Sequence, residues 1–246
     1  MGLLSNCHPD IIQEALRLRQ NLEEIYPSGD SETSFNDGYF QGGYHSFTIP
    51  KKGGRRVIHE PADALKTVQA GIKDALLSQV QTYAGALGGE TGKSFIENAR
   101  LHARNQPRYL INMDLKNAYP SVKAERVFVN LRGALRKKLE LSYPEWSESQ
   151  KERLVDMIVI LTTHNDEIPQ GASTSMKLLN MVMAASDREI SQFLHTSEAG
   201  LSSPLYTRYV DDLSVSWKEF QDMHEVWRKR GKILRSIKKI QEHHSK

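Results

Sequence analysis

The sequence predicts an α+β fold, and three observations lead to this expectation. Strand-like residues lie on both sides of the glycines at 53–54, which is typical of a β-hairpin. A second pair of strand-like segments flanks Asp211 and Asp212. Between and beyond these hairpins, apolar residues recur at every third or fourth position, as they do in amphipathic helices.

The composition is that of a globular chain, because 39% of the 246 residues are hydrophobic and 26% are charged. This length allows one or two hydrophobic cores. No apolar run approaches the ~20 residues that cross a bilayer, so no membrane partner is expected. The single Cys7 excludes an internal disulfide and fits a reducing, cytoplasmic compartment.

The N-terminal third is predicted to contain two helices and one hairpin. Apolar spacing predicts helices over 8–26 and 62–83. Strands over 44–50 and 57–61 flank the tip 51–56, which reads Lys-Lys-Gly-Gly-Arg-Arg. Four cations at such a tip suit a triphosphate or a nucleic-acid backbone. A surface turn kept soluble by its charges would have the same sequence.

A glycine-rich segment, 85–92, precedes a short predicted helix. Gly92-Lys93-Ser94 has the form of a phosphate-loop ending, but Leu87 stands where that motif requires glycine, which excludes a Walker A site. Ser94 instead predicts a capping box that opens a helix through residue 105. In this helix Asn98 and His102 lie one turn apart. Their local chemistry favours a structural role, in which they could hydrogen-bond the protein backbone or RNA.

The middle of the chain is predicted to place an acid and a polar loop at the ends of regular elements. The apolar strand 108–114 ends in Asp114, whose burial is costly unless the carboxylate is paired or metal-bound; a helix N-cap or Asx turn is the alternative. The loop 168–175 offers backbone N–H groups and the Gln170 amide, a suitable wall for a base or sugar, or simply a turn and cap. Helices are predicted over 124–138, 148–164 and 176–195.

The hairpin over 206–217 carries two adjacent carboxylates at its turn, Asp211 and Asp212. Like charges at a rigid turn repel each other, and a divalent cation would neutralise them. Mg²⁺ prefers hard oxygen ligands, commonly one or two carboxylates together with substrate phosphates. An ordinary surface turn is the alternative, because Asp is a frequent turn residue.

The C-terminal segment 218–246 is predicted to be a basic helix, with nine Lys and Arg against four Asp and Glu. Such a helix could contact phosphates. A solvated helix face explains the charges equally well.

Taken together, these features resemble the fingers and palm of reverse transcriptases from about Phe47 to Ser216. They occur in the family's order: Asp114 at a strand end, Pro169-Gln170-Gly171 before a helix, and Tyr209-Val210-Asp211-Asp212 in a hairpin.

The chain looks most like a bacterial retron-type reverse transcriptase. Asn98-Ala99-Arg100-Leu101-His102 resembles the NAxxH box of that lineage, and the segment 169–180 is similar to its PQGAPTS…LSN segment. Ser173 and Met176 replace prolines of that pattern, and Leu179 replaces a serine.

This resemblance implies a polymerase palm, with an antiparallel sheet backed by helices. It implies an N-terminal helix and fingers over 1–105 and a palm over 106–246, which includes a loop at 165–176. The family continues with the rest of the palm, a Val-Thr-Gly box and a helical thumb, none of which is in this chain. A fragment, or a chain whose partner supplies the thumb, would account for that.

The resemblance also implies roles for individual residues. Asp114, Asp211 and Asp212 would be catalytic and, together with Leu115, would hold two Mg²⁺ ions, with Mn²⁺ as an alternative. Lys52 and Arg56 would bind the triphosphate, with Lys51 and Arg55 as substitutes. Tyr119 and Gln170 would contact the nucleotide, and Asn98 and His102 the RNA.

The function implied is RNA-directed DNA polymerisation in phage defence. Its partners would be an RNA template or non-coding RNA, the DNA product, deoxynucleoside triphosphates and an effector protein. A polymerase that makes DNA without a template needs the same aspartates, so it stays open. A non-catalytic nucleic-acid-binding module is disfavoured because acids that face phosphates weaken binding.

Overall fold

A computed structural model describes residues 39–51, 53–218 and 223–244. The predicted helix over 8–26 and Lys52 lie outside these residues. The elements are, in chain order, β1 (Tyr39–Gln41), β2 (Tyr44–Lys51), β3 (Gly54–Pro61), α1 (Asp63–Ala75), a short 3₁₀ helix (Leu77–Gln79), α2 (Phe95–Arg104), β4 (Tyr109–Asp114), α3 (Ala124–Ser142), α4 (Glu148–Thr162), α5 (Ser175–Leu194), β5 (Leu205–Tyr209), β6 (Asp212–Trp217) and α6 (Met223–His244). The mixture of helices and antiparallel sheets confirms the α+β prediction.

The chain forms two compact units, each built from two separated segments. The first unit contains the described residues up to Gln81 together with 119–179, and the second contains 82–118 and the described residues from Asn180 onward. This differs from the predicted linear division after residue 105. The segment that contains α2 belongs with the later strands because it hydrogen-bonds to them; the Leu87 N–H, for example, donates to the Arg208 carbonyl at 2.8 Å.

The first unit holds an antiparallel sheet of order β1-β2-β3, in which Lys51 pairs with Gly54 at the predicted hairpin tip. Tyr44 on β2 is fully buried, and its hydroxyl accepts from Gln69 Nε2 at 2.7 Å. The same Gln69 nitrogen donates to the Leu161 carbonyl at 2.9 Å. The side chain of Gln69 therefore joins α1, β2 and α4 in one core.

Two helices of the first unit end at places that apolar spacing did not predict. The helix predicted over 62–83 stops at Ala75, whose carbonyl accepts from Lys138 Nζ at 3.0 Å, and the 3₁₀ helix follows. By contrast, α3 continues past 138 to Ser142, because buried Leu139 extends its apolar stripe by one more turn. The end of α1 therefore involves a contact with a residue distant in sequence, whereas α3 is longer than predicted because its own apolar spacing continues to Leu139.

The second unit holds an antiparallel sheet of order β4-β6-β5, with β6 in the centre. The strands predicted over 108–114, 206–210 and 213–217 are confirmed to within one residue at their ends. Helices α5 and α6 contribute apolar side chains to the core of this unit. The buried core residues are Ile190, Leu194, Tyr206, Leu213, Val215, Trp217, Ile233, Ile237 and Ile240.

Within the part of the chain that the structure describes, no helix combines the length and the apolar character that crossing a membrane requires.

Candidate active site

The turn between β5 and β6 has an unusual backbone conformation. Tyr209 pairs with Asp212, so Val210 and Asp211 form a two-residue hairpin loop. Val210, but not Asp211, has a positive φ, of 59°, as the first loop residue of a type II′ turn does. Glycine is usual at that position. A β-branched residue there stores strain on the order of 1–3 kcal/mol.

The structure brings the three predicted aspartates to one edge of the β4-β6-β5 sheet. Asp114, the last residue of β4, pairs directly with Asp212 at the start of β6. The Leu115 N–H donates to the Asp211 carbonyl at 2.9 Å, which ties the turn to the chain that follows Asp114. Asp114 and Asp212 are exposed, and Asp211 is half-buried.

These carboxylates repel each other. Partial burial raises the pKa of Asp212, and the negative charges of Asp211 and Asp114 raise it further. A cation held between the carboxylates would relieve this repulsion. The donor set therefore suits a hard divalent ion.

The aspartates do not form a closed metal cage. Among the described residues, no three His, Cys, Asp or Glu side chains are grouped closely enough to hold an ion by themselves. This open arrangement is compatible with Mg²⁺, which keeps several waters and takes substrate phosphates as ligands beside one or two carboxylates.

Sequence reasoning missed two charged residues beneath the turn. Arg208 and Asp187 are both fully buried, and they form a bidentate ion pair in which Arg208 Nη2 and Asp187 Oδ2 are 2.8 Å apart. A signal was present, because Asp187 falls on the apolar stripe of α5 in line with Ile190 and Leu194. A charged residue on a buried stripe indicates a buried partner.

The structure favours a structural role for His102 over contact with RNA. His102 is 6% exposed, and both of its ring nitrogens are hydrogen-bonded, to the Ser216 and Thr207 hydroxyls at 2.7 Å each. Its ring therefore anchors α2 to the sheet and has no polar atom left for RNA. Asn98 is half-buried and accepts from Thr207 through Oδ1, so its contact with RNA stays a prediction.

Acidification is expected to destabilise the second unit through His102. Burial lowers the pKa of His102 from 6.5, so its contribution to stability is complete above that value and is lost as the pH falls below it. The measurement is the unfolding free energy between pH 7.5 and 5. Burial also lowers the pKa of His59 in the first unit, so that unit is expected to lose stability in the same direction. The pH dependence should be smaller in His102→Gln and unchanged in His195→Gln, a variant at an exposed histidine; equal slopes in all three proteins would contradict the prediction.

The predicted nucleotide contacts Arg56 and Gln170 both lie in the first unit. Arg56 is half-buried on β3, opposite Ile49. The Gln170 carbonyl accepts from the His59 N–H at 2.8 Å, which packs the Pro-Gln-Gly loop against the same strand. Gly171 has a φ of +128°, and a Cβ there would lie 3.0 Å from the His59 carbonyl, so this close approach requires glycine.

The other described residues predicted to bind the nucleotide are Arg55, Lys51 and Tyr119, and each has different local contacts. Arg55 is exposed and donates to Thr48 Oγ1 at 2.9 Å, and Lys51 is exposed. Tyr119 is half-buried in the first unit, and its carbonyl accepts from the Val122 N–H at 3.1 Å. The roles assigned to these residues stay predictions.

The predicted basic helix is α6. Two of its lysines form hydrogen bonds within the second unit: Lys229 donates to the Gly200 carbonyl and Lys232 donates to the Glu198 carbonyl. On its outer face, Arg230 lies 5.2 Å from the ring of exposed Trp227. Neither arrangement decides between phosphate contact and a solvated face.

Comparison with known proteins identifies the class. A family model described as "Reverse transcriptase (RNA-dependent DNA polymerase)" matches residues 49–243. Because this range is more than half of the sequence, the chain belongs to that family.

Its curated relatives are retron reverse transcriptases, which confirms the predicted resemblance. The chain is 29% identical to the retron Ec73 reverse transcriptase of Escherichia coli, over 78% of this chain and 61% of that protein. It is 31% identical to the retron Mx65 reverse transcriptase of Myxococcus xanthus, over 74% of this chain and 42% of that protein. The chain thus spans less than two thirds of the length of the relatives it matches.

Proposed function

We propose that this chain is the fingers-and-palm part of an RNA-directed DNA polymerase of the retron type, which copies RNA into DNA by two-metal nucleotidyl transfer. The observation that carries the proposal is the meeting of Asp114, Asp211 and Asp212 at one sheet edge, in a chain of the reverse transcriptase family.

In this proposal the 3′-oxygen of the primer attacks the α-phosphorus of a deoxynucleoside triphosphate, and pyrophosphate leaves. Asp114 and Asp211 would hold both metal ions, with Asp212 and the Leu115 carbonyl assisting. Two bound Mg²⁺ or Mn²⁺ ions would activate the 3′-hydroxyl and neutralise the leaving pyrophosphate. The protein contributes mainly by positioning charges, since phosphoryl transfer needs no covalent intermediate with the enzyme.

Residues of the first unit are proposed to bind the nucleotide. Arg56, together with Lys52, would hold the triphosphate, because guanidinium and ammonium groups donate several hydrogen bonds to phosphate oxygens. The Gln170 loop would contact the base or sugar, and its packing against β3 supports a shared role with Arg56.

The test is extension of a DNA primer on an RNA template by the purified chain, both alone and fused at its C-terminus to the thumb of a retron reverse transcriptase. We expect incorporation that depends on deoxynucleotides, gives the complement of the template, stops with EDTA and resumes with Mg²⁺ or Mn²⁺. Sequencing the product separates this function from synthesis without a template, because only templated DNA changes when the RNA sequence is changed. No extension under any of these conditions would contradict the proposal.

The proposed partners are a template or non-coding RNA, the DNA product and an effector protein, in phage defence. Sequencing the RNA that copurifies with the chain from its native host would identify the template. A random sample of cellular RNA would argue against a dedicated RNA partner.

A further inference from the structure

We propose that Arg208 and Asp187 are positioning residues, which hold the Val210–Asp211 turn in the strained conformation that presents Asp211 to the metal. This inference rests on the proposed function, because it assigns the pair a purpose in metal binding. Neither residue is proposed to touch substrate or metal.

The turn needs external support because its backbone is strained. Val210 has a φ of 59°, and a strained non-glycine residue keeps such a value only when its surroundings enforce it. The two-residue hairpin favours a positive φ at its first residue, but it does not fix the orientation of the peptide that joins Val210 to Asp211, since type I′ and type II′ turns differ in that peptide. The contacts that select the observed orientation and hold valine in it should therefore lie next to Val210.

Arg208 supplies one such contact. Its Nη1 donates to the Val210 carbonyl at 2.7 Å, so the guanidinium fixes the orientation of the peptide that joins Val210 to Asp211. The Arg208 backbone is itself fixed: its N–H donates to the Gly85 carbonyl and its carbonyl accepts from the Leu87 N–H, both at 2.8 Å. The backbone of Arg208 is therefore held through both its N–H and its carbonyl.

Asp187 fixes the direction of the guanidinium. Arg208 Nε donates to Asp187 Oδ1 at 3.0 Å, and Nη2 donates to Oδ2 at 2.8 Å. The Tyr206 hydroxyl also donates to Oδ1, at 2.7 Å. Burial and the Asp187 charge raise the pKa of Tyr206 well above its usual range, so that hydroxyl keeps its proton. The edge of the guanidinium formed by Nε and Nη2 thus binds Asp187 of α5, and the remaining nitrogen, Nη1, donates to the turn.

Gly88 also confines the turn. A Cβ on Gly88 would lie 2.6 Å from the Val210 nitrogen, so the two backbones touch. Asn180 of α5 holds Gly88 in place, since its Nδ2 donates to the Gly88 carbonyl at 2.7 Å. Helix α5 therefore reaches Val210 by two routes, through Asp187 with Arg208 and through Asn180 with Gly88.

Stability alone does not account for a buried ion pair of this kind. Well-packed apolar residues of similar volume commonly replace such pairs with no loss of stability, whereas loss of one partner leaves an uncompensated buried charge. Apolar replacement would nevertheless change the geometry of the turn, because the Val210 carbonyl would lose its hydrogen-bond donor. A displacement of about 1 Å at a catalytic group can cost ~100-fold in rate.

The decisive variant is the double substitution Arg208→Met with Asp187→Leu, which removes both buried charges. We expect a folded protein whose melting temperature is modestly lowered, because the buried Tyr206 hydroxyl loses its acceptor, and a kcat for primer extension lowered ~100-fold. KM for the deoxynucleotide should change little, because the turn is not part of the proposed triphosphate contacts. Wild-type kcat in a stable double variant would overturn the proposal. Should that variant fail to fold, Arg208→Lys serves the same purpose, since lysine keeps the charge beside Asp187 but cannot donate to Asp187 and Val210 with the same geometry.

A second readout does not depend on catalysis. Mn²⁺ binding, followed by electron paramagnetic resonance without nucleotide, should be at least tenfold weaker in the double variant. If the wild type binds Mn²⁺ but does not extend primers, the proposed function fails while the positioning role is still tested. Equal Mn²⁺ affinity in wild type and double variant would overturn the positioning role.

Two further variants show whether the effect runs through the turn. Val210→Gly in the double-variant background should recover at least tenfold in kcat, because glycine adopts a positive φ without strain; no recovery would overturn the proposed route. The matched control is Arg136→Met with Glu140→Leu, which removes an exposed ion pair on α3 and should leave kcat and Mn²⁺ affinity unchanged.

Discussion

Asp211→Asn is expected to lower DNA synthesis at least ~10³-fold, a loss of about 4 kcal/mol of transition-state stabilisation. The substitution keeps the shape of the side chain and removes a charged ligand that both metal ions are proposed to share. The fold should persist, because Asp211 occupies a half-buried turn and its backbone carbonyl, not its side chain, accepts from the Leu115 N–H. The melting temperature should stay equal or rise, since repulsion with Asp114 and Asp212 is reduced.

Primer extension and thermal unfolding of the same preparation measure both effects. The matched control is Asp74→Asn, which neutralises an exposed acid on α1 and should leave the rate of synthesis unchanged. A variant with asparagine at 211 that extends primers at the wild-type rate would refute the metal assignment.

Tyr119→Ala is expected to raise the use of ribonucleotides by about two orders of magnitude, as relief of a steric exclusion of roughly 3 kcal/mol would. Tyr119 lies five residues after Asp114, and reverse transcriptases place an aromatic residue at this point of the motif. A ring beneath the sugar leaves no room for a 2′-hydroxyl, so ribonucleotides would be rejected by steric clash. The alternative is a core aromatic with no contact to the nucleotide.

The measurement is the ratio of kcat/KM for deoxynucleotides to that for ribonucleotides, in wild type and variant. Tyr143→Ala is the matched control, because this half-exposed tyrosine of the same unit stacks on Trp146 and should leave the ratio unchanged. Unchanged discrimination in Tyr119→Ala would show that Tyr119 is not the sugar gate.

Local patterns predicted most of the secondary structure correctly. Hairpin tips depend on residues adjacent in sequence, so the hairpins around 53–54 and 211–212 were predictable from glycines, charges and strand-like flanks, although the second loop is Val210–Asp211, one residue earlier than predicted, and Asp212 belongs to β6. The start of α2 was predictable for the same reason, since Ser94 Oγ accepts from the Glu97 N–H at 3.2 Å. Failures concentrated at helix ends such as Ala75, where Lys138, distant in sequence, caps the last carbonyl.

The sequence pointed to the carboxylates of the candidate site but not to the buried residues that hold their turn. Each of Asp114, Asp211 and Asp212 could alone be an ordinary turn or cap residue, and they stand out in the sequence because they occur with the Pro169-Gln170-Gly171 loop in the order of the reverse transcriptase family. Arg208 and Asp187 gave only a weak signal, because the sequence does not show that an arginine on β5 and an aspartate on α5 share one buried position.

The sequence by itself determined the described strands other than β1 and most of the described helices, because these depend on neighbours within a few residues. It also singled out the three carboxylates, through the order of the motifs along the chain. Tertiary structure alone decided the division into two discontinuous units, the internal hydrogen bonds of His102 and the support of the strained turn at Val210. The two-residue hairpin favours a positive φ at that position, but it does not fix the orientation of the peptide between Val210 and Asp211. The contacts from Arg208 and Gly88 that hold the turn exist only after α5 and the segment 85–88 have packed around it.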